Sequence, residues 1–170
     1  MASKVAKFSR PSILSIMNHQ LRLKIATVDD TDALQALYVH LSKDNESYSS
    51  KLAKRNLVKL SQYEGSCVLV GEIDNVIIVS RTLVIVPNLT RGGASSALIE
   101  NVVTHSDYRG LGYGKLILDA ASNRAWEHDC YKIILTTGST KPSTLDFYES
   151  AGFEQSRTGF QKRRIAVRTE

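Results

Sequence analysis

The 170-residue chain carries a formal net charge of +5 at pH 7, with 42% hydrophobic and 23% charged residues. That is the size and balance of one globular domain with room for a proper core, and no run approaches the roughly 18 apolar residues that cross a bilayer. The basic balance does not call for nucleic acid, because no arginine-rich block appears and aromatics do not interleave with basic residues. Cys67 and Cys130 give neither a disulfide framework nor a metal spacing, and His19, His40, His105 and His128 form no spaced cluster. The expectation is a cytoplasmic chain with two buried, reduced thiols, no metal and no membrane partner.

In chain order, residues 1–20 hold no acidic residue and carry Lys4, Lys7 and Arg10. They read as a solvated basic leader rather than an organelle transit peptide, broken at Pro11, with room for a short helix over Ser12 to His19. Residues 21–170 read as a single domain. Leu21 to Ile25 alternates apolar and basic, a half-buried strand. Thr27-Val28-Asp29-Asp30 signals a helix start, and Leu34, Leu37, Tyr38 and Leu41 mark its apolar face. Lys43 to Ser50 is a polar loop. Leu52, Ala53, Leu57 and Leu60 predict a second helix ending before Gly65. Cys67 to Glu72 and Val76 to Val86 are strands joined by an Asp74-Asn75 turn. Pro87 to Gly93 is a loop, and Ala97 to Thr104 the next strand, so the first half is an antiparallel meander. Tyr113, Ile117, Ala121 and Ala125 line one face of the following helix, with Leu116 and Ala120 beside them. Lys115, Asp119, Asn123 and Glu127 take its other side. Tyr131 to Thr136 closes a right-handed parallel βαβ unit. Thr144 to Ser150 is a short helix capped by Gly152, and Thr158 to Val167 a last strand.

The chain is organised around Ile99 to Leu118. An apolar strand leads through a polar turn, Thr104 to Tyr108, into Arg109-Gly110-Leu111-Gly112-Tyr113-Gly114-Lys115 and a helix. Strand, glycine-rich turn and helix start present backbone N–H groups to an anion at the positive end of a helix dipole. Glycines without a Cβ let a phosphate approach closely. The Rossmann fingerprint fails, since the glycines alternate and no acidic residue follows about 20 positions on at the end of a second strand. The P-loop fails as well. Arg109 stands where its first glycine belongs, and Leu116 where Ser or Thr would hold magnesium.

Arg-x-x-Gly-x-Gly after a Val-Val strand, carried by Arg109, Gly112 and Gly114, resembles motif A of the GNAT superfamily of acetyl-CoA-dependent N-acetyltransferases. Thr144 to Phe153, with Phe147-Tyr148 on a helix and Gly152-Phe153 after it, resembles that family's motif B. The resemblance covers roughly residues 22–165. It implies an α/β (α+β) fold with a mixed central sheet of six to seven strands, antiparallel first and then parallel, flanked by about four helices. It also implies acetyl transfer from acetyl-CoA to a primary amine by direct attack in a ternary complex. The positive charge suits the phosphates of coenzyme A.

Such a transfer needs the donor held, the amine deprotonated, the oxyanion stabilised and the thiolate protonated. By resemblance, the backbone of Arg109, Gly110, Leu111, Gly112, Tyr113 and Gly114 binds the pyrophosphate, with Lys115 at the helix start and the Arg109 side chain adding charge or closing the turn. Val102 and Val103 pair with the pantetheine arm as an added strand would, with an N–H near Val103 facing the thioester oxygen. Glu100 interrupts an apolar strand, where a carboxylate is costly unless used or paired, and is the candidate base. His105 is a weaker alternative. Tyr148 is the candidate acid, near the sulfur, and Phe147 a core residue. Lys141 stands where many members carry an asparagine that orders the pantetheine; Ser139, Thr140, Ser143 or Thr144 are the candidate replacements. The first helices and their loop wall the acceptor side, with Tyr48 a candidate contact. The Ile99-Glu100-Asn101 start, the Cys130 to Leu135 strand and Phe147-Tyr148-Glu149 look like eukaryotic-type glucosamine-6-phosphate N-acetyltransferases, whereas the Asn88 to Gly93 loop does not. Small amines are the expected acceptor class. Arg91 would suit an anionic one, and a protein amine, a non-catalytic acyl-CoA sensor and a homodimer stay open.

Overall fold

A computed structural model of the chain describes residues 20–41 and 48–164. The short helix expected over Ser12–His19 lies outside the described residues, as does most of the Lys43–Ser50 loop, whose last residue opens a helix. Five strands form one sheet in sequence order: β1 (Arg22–Ile25), β2 (Cys67–Ile73), β3 (Val76–Val86), β4 (Ser95–Thr104) and β5 (Cys130–Leu135). The first three pairings are antiparallel and β4–β5 is parallel, as the meander and the βαβ unit predict. Among the described residues four α-helices flank it: α1 (Thr31–Tyr38), α2 (Ser50–Ser61), α3 (Tyr113–Glu127) and α4 (Pro142–Ser150).

The sheet divides the core in two. On one face Leu34 and Leu37 of α1 pack with Val68, Val70, Ile77 and Val103, and Leu57 and Leu60 of α2 cover them. On the other face Tyr113, Ile117, Leu118, Ala121 and Ala125 of α3 pack on Leu69, Ile78, Leu83 and Ile99. β2 is buried at every position, because helices cover both of its faces, and its sequence is accordingly a near-continuous apolar run rather than an alternation.

Local chemistry sets the element ends. A 3₁₀ turn over Val28–Asp30 precedes α1, and the Asp30 carboxylate accepts from Thr27 N at 2.8 Å. Ser49 caps α2 by accepting from Leu52 N. α4 ends in a Schellman turn: Gly152 (φ 82°) donates to Glu149 O and Phe153 to Tyr148 O, at 2.9 and 3.1 Å.

The structure corrects the sequence reading in three places. The sheet of six to seven strands is a sheet of five among the described residues, since 158–164 of the expected Thr158–Val167 strand are exposed and carry no strand. α1 stops at Tyr38, which leaves Leu41 40% exposed instead of on the apolar face. On α3 the buried stripe leans toward Leu118, not Leu116, which is 50% exposed. At 100° per residue, position 118 lies next to the 113-117-121 line on the sheet side, and 116 lies across it.

Candidate active site

The site begins with a fault in the sheet. Ser80 pairs with Val103 and Thr82 with Glu100, so Arg81 alone faces both Asn101 and Val102. This is a β-bulge, with Asn101 at φ 53°. It restarts the alternation: Ile99 and Val102 both face α3 and α4, while Val103 faces α1 and α2. The Asn101 amide donates to Thr82 Oγ1 across it, at 3.4 Å. β5 pairs with β4 only from Ser95 to Ile99, whereas β4 runs on to Thr104. From Glu100 onward, β4 therefore parts from its parallel neighbour. That leaves β4 without a strand partner on this side past Ile99, a candidate cleft where an extended ligand carrying amides can pair with its main chain.

The glycine-rich turn stands at the end of that cleft. A 3₁₀ turn, Ser106–Tyr108, follows β4. Gly110 and Gly112 then take φ of 78° and 83°, the left-handed region that disfavours residues with a Cβ. The α3 ladder opens with Lys115 and Leu116 both donating to Gly112 O, at 3.0 and 3.1 Å. The N–H groups of Tyr113 and Gly114 thus sit at the positive end of the helix, free of the helical ladder. Gly110, Leu111 and Gly112 are exposed, so the turn is open to an anion. Lys115 reaches Asp119 at 3.3 Å while half-exposed.

Two residues here have duties the sequence left unresolved. The Arg109 side chain closes the turn: its Nε donates to Thr104 O at 3.1 Å and a terminal nitrogen to His40 O at 2.8 Å. It ties the turn to the end of α1, where the His40 and His105 rings meet at 4.0 Å. His105 is occupied locally, its Nδ1 accepting from Asp107 N at 3.3 Å. Gly114 differs from Gly110 and Gly112, where an added Cβ would meet nothing within 4 Å. A Cβ at Gly114 would lie 3.1 Å from Phe147 Cε2, so its role is close packing of α3 on α4.

Glu100 comes from β4 and Tyr148 from α4. Glu100 pairs with Thr82 and is exposed, so the burial expected of a strand carboxylate is not what the fold gives it. Tyr148 comes from α4, is half-buried, and stacks its ring near Phe147 (5.0 Å) and Phe153 (6.5 Å). Burial pushes its phenol up, the Arg81 charge pulls it down, and the Glu100 charge pushes it up again. The charge of the candidate base therefore acts on the candidate acid. Val102 is half-buried and Val103 buried within β4. Of the residues considered in place of the family asparagine, Ser139 and Thr144 bond to each other through their hydroxyls at 3.2 Å, and Lys141 stands at the N-cap of α4. On the other face Tyr48 is half-buried near Tyr38. The Arg91 guanidinium lies over the Tyr131 ring at 5.7 Å.

Sequence reasoning missed Arg81. It is fully buried and donates to Gly114 O at 3.1 Å, and burial pulls its guanidinium down to about 9, still cationic at pH 7. A charge in the middle of the Val76–Val86 run was the available signal.

Known proteins resemble this chain in both sequence and fold. The acetyltransferase (GNAT) family model matches residues 25–153. The chain belongs to the GNAT family. It is 39% identical over 77 residues to the glucosamine 6-phosphate N-acetyltransferase of Trypanosoma brucei brucei, covering 45% of this chain and 50% of that protein. It is 31% identical over 135 residues to a Drosophila melanogaster protein provisionally given the same name, covering 77% and 60%. The matched stretches span only half to three fifths of those two relatives. A solved structure from Agrobacterium tumefaciens str. C58, provisionally named an acetyltransferase, superposes with a TM-score of 0.79 at 36% identity, over 84% of this chain and 99% of that one. GNAT proteins use acetyl-CoA. Among the described residues, no helix is long and apolar enough to cross a membrane, and no group of three or more His, Cys, Asp or Glu could hold a metal ion.

Proposed function

We infer that this GNAT protein transfers the acetyl group of acetyl-CoA to a primary amine of a small molecule, by direct attack with both substrates bound. The observation that carries the reading is the open anion turn, Gly110 to Gly114, at the end of the cleft where β4 leaves β5. The donor supplies an activated acetyl group as its thioester. The N–H groups from Arg109 to Gly114, with the charge of Lys115, hold its pyrophosphate. The main chain at Val102 and Val103 orients the pantetheine along the free side of β4. Glu100, exposed on the face shared with Thr82, takes the amine proton directly or through water, and Tyr148 gives a proton to the departing sulfur. The bland alternative for Glu100, a solvated strand carboxylate, shares its exposure. What favours the base is its placement at the first residue past the β4–β5 pairing and its electrostatic contact with Tyr148.

The names of the two relatives make glucosamine 6-phosphate the first acceptor to try. A homodimer through the β5 edge, one of the two edges of the described sheet, fits the same reading. The test is thiol release from acetyl-CoA with glucosamine 6-phosphate and a panel of other small amines, for wild type and Tyr148→Phe. Release with at least one amine is expected, with kcat lowered in the mutant by about 100-fold or more, the lower range for loss of a general acid. Acetyl-CoA binding without release to any amine would overturn the small-amine reading in favour of a protein acceptor or a sensor.

A further inference from the structure

Arg81 is a full positive charge at 0% exposure in the middle of β3. One hydrogen bond holds it, from a terminal nitrogen to Gly114 O at 3.1 Å. Its Nε and other terminal nitrogen are buried with no hydrogen-bond partner. Orphaned donors on a buried charge cost stability, and an apolar side chain of similar volume would fill the same space at no such cost. The charge therefore answers to something other than packing.

Its surroundings narrow the choice. β4 presents Asn101 and Val102 across the bulge. α3 presents the Gly114 carbonyl and, further along, Asp119; α4 presents Tyr148. The Asp119 carboxylate is 47% exposed and already faces Lys115 at 3.3 Å. The half-buried Tyr148 packs on the core face of Val79 and Leu83, the face that Arg81 shares by alternation, and Glu100 is the other charge acting on its phenol. The third link is Gly114. The residue whose carbonyl anchors Arg81 also packs against Phe147, the neighbour of Tyr148 on α4.

We propose that Arg81 is a positioning residue for the acid: its buried guanidinium stabilises the tyrosinate that forms when Tyr148 protonates the departing coenzyme A sulfur. As the carbon–sulfur bond breaks, its electron pair goes to sulfur. The Tyr148 Oη–H bond breaks in the same step, the proton passes to sulfur to give the thiol, and the negative charge is left on Oη, where the Arg81 charge favours it. Water then reprotonates the phenolate. The inference rests on the acid role given to Tyr148 above, but the charge relation between the two side chains can be measured without turnover.

The experiment titrates Tyr148 by tyrosinate absorbance, as the difference between each protein and the same protein carrying Tyr148→Phe. Arg81→Gln removes the charge and retains a donor for Gly114 O; Arg81→Lys keeps the charge. The expected result is a midpoint about one pH unit or more higher in Arg81→Gln, and within about half a unit of wild type in Arg81→Lys. In thiol release, Arg81→Gln should lower kcat by about tenfold with little change in KM for acetyl-CoA, and cost nothing further when Tyr148 is already Phe. Wild type supplies a readout that needs no Arg81 variant to fold. One arginine Nε–H resonance should move with the Tyr148 midpoint and stop moving in Tyr148→Phe. An unmoved midpoint, equal shifts in both variants, or no such resonance overturns the proposal at Arg81 and leaves the acid role standing. A moved midpoint with unchanged turnover overturns it at Tyr148 instead.

Discussion

Gly114→Ala separates a packing role for this glycine from a phosphate-approach role. The residue sits in the first turn of α3, outside the left-handed region that Gly110 and Gly112 occupy. An added Cβ would stand 3.1 and 3.2 Å from Phe147 Cε2 and Cζ and 3.5 Å from Thr104 Oγ1. Alanine gains about 1 kcal/mol of helix preference and about 0.8 kcal/mol for the buried methyl. Against that stands an overpacking cost of about 1–3 kcal/mol. The sum lies within about 1 kcal/mol of zero, so the melting temperature should move by only a few degrees. Relief of the contact comes from the Phe147 ring giving way by a few tenths of an ångström, and Tyr148 is the next residue. Turnover should therefore fall by about tenfold or more, because a small misplacement of a reacting group is costly, while the affinity for coenzyme A changes little. Thermal denaturation, calorimetric titration and thiol release on the same preparation read the three quantities. A variant of ordinary stability and full turnover whose coenzyme A affinity collapses would refute the packing argument and show that the missing Cβ serves the approach of the phosphate.

Arg109→Ala removes both hydrogen bonds that tie the turn to Thr104 O and His40 O. Weaker donor binding is expected, read as a raised KM for acetyl-CoA, with a stability loss of about 1 kcal/mol because the guanidinium is exposed. Arg109→Lys should recover only part, since one ammonium cannot span both carbonyls. At the far end of the sheet, Arg22 donates from Nε to the Glu72 carboxylate at 2.8 Å and Lys24 lies 3.1 Å away. The Arg22 bond holds that carboxyl below its ordinary value, against burial, with Lys24 helping. A folded pKa below the unfolded one gives stability that is complete above the ordinary carboxylate value, about 4.3, and lost as pH falls through the folded value. Thermal melts should show that acid limb in wild type and a flatter one in Glu72→Gln; identical limbs would refute the pairing.

The sequence revealed the turn because Arg109, Gly110 and Gly112 are local, and the left-handed backbone at 110 and 112 favours glycine. The strand order followed from short connections and the one βαβ crossover. The bulge left a weaker trace. Ile99 and Val102 face the same helices although three apart, which strict alternation forbids, and Glu100-Asn101 fills the gap. The burial rule for charges in apolar strands was sound, but it selects Arg81 rather than Glu100. The fold buries the first completely and leaves the second exposed, and only the tertiary packing of α3 and α4 distinguishes them. The Thr158–Val167 expectation failed over 158–164, where Gly159 and the Lys162-Arg163-Arg164 run leave an exposed segment without apolar alternation.

The measurement closest to the central claim is a calorimetric titration of the wild-type chain with coenzyme A. The account predicts saturable binding of one coenzyme A per chain, with resonances of the Gly110–Lys115 backbone and of Val102 and Val103 shifting together. Absence of saturable binding, or saturation with the glycine turn unperturbed, would contradict the assignment of this cleft as the donor site.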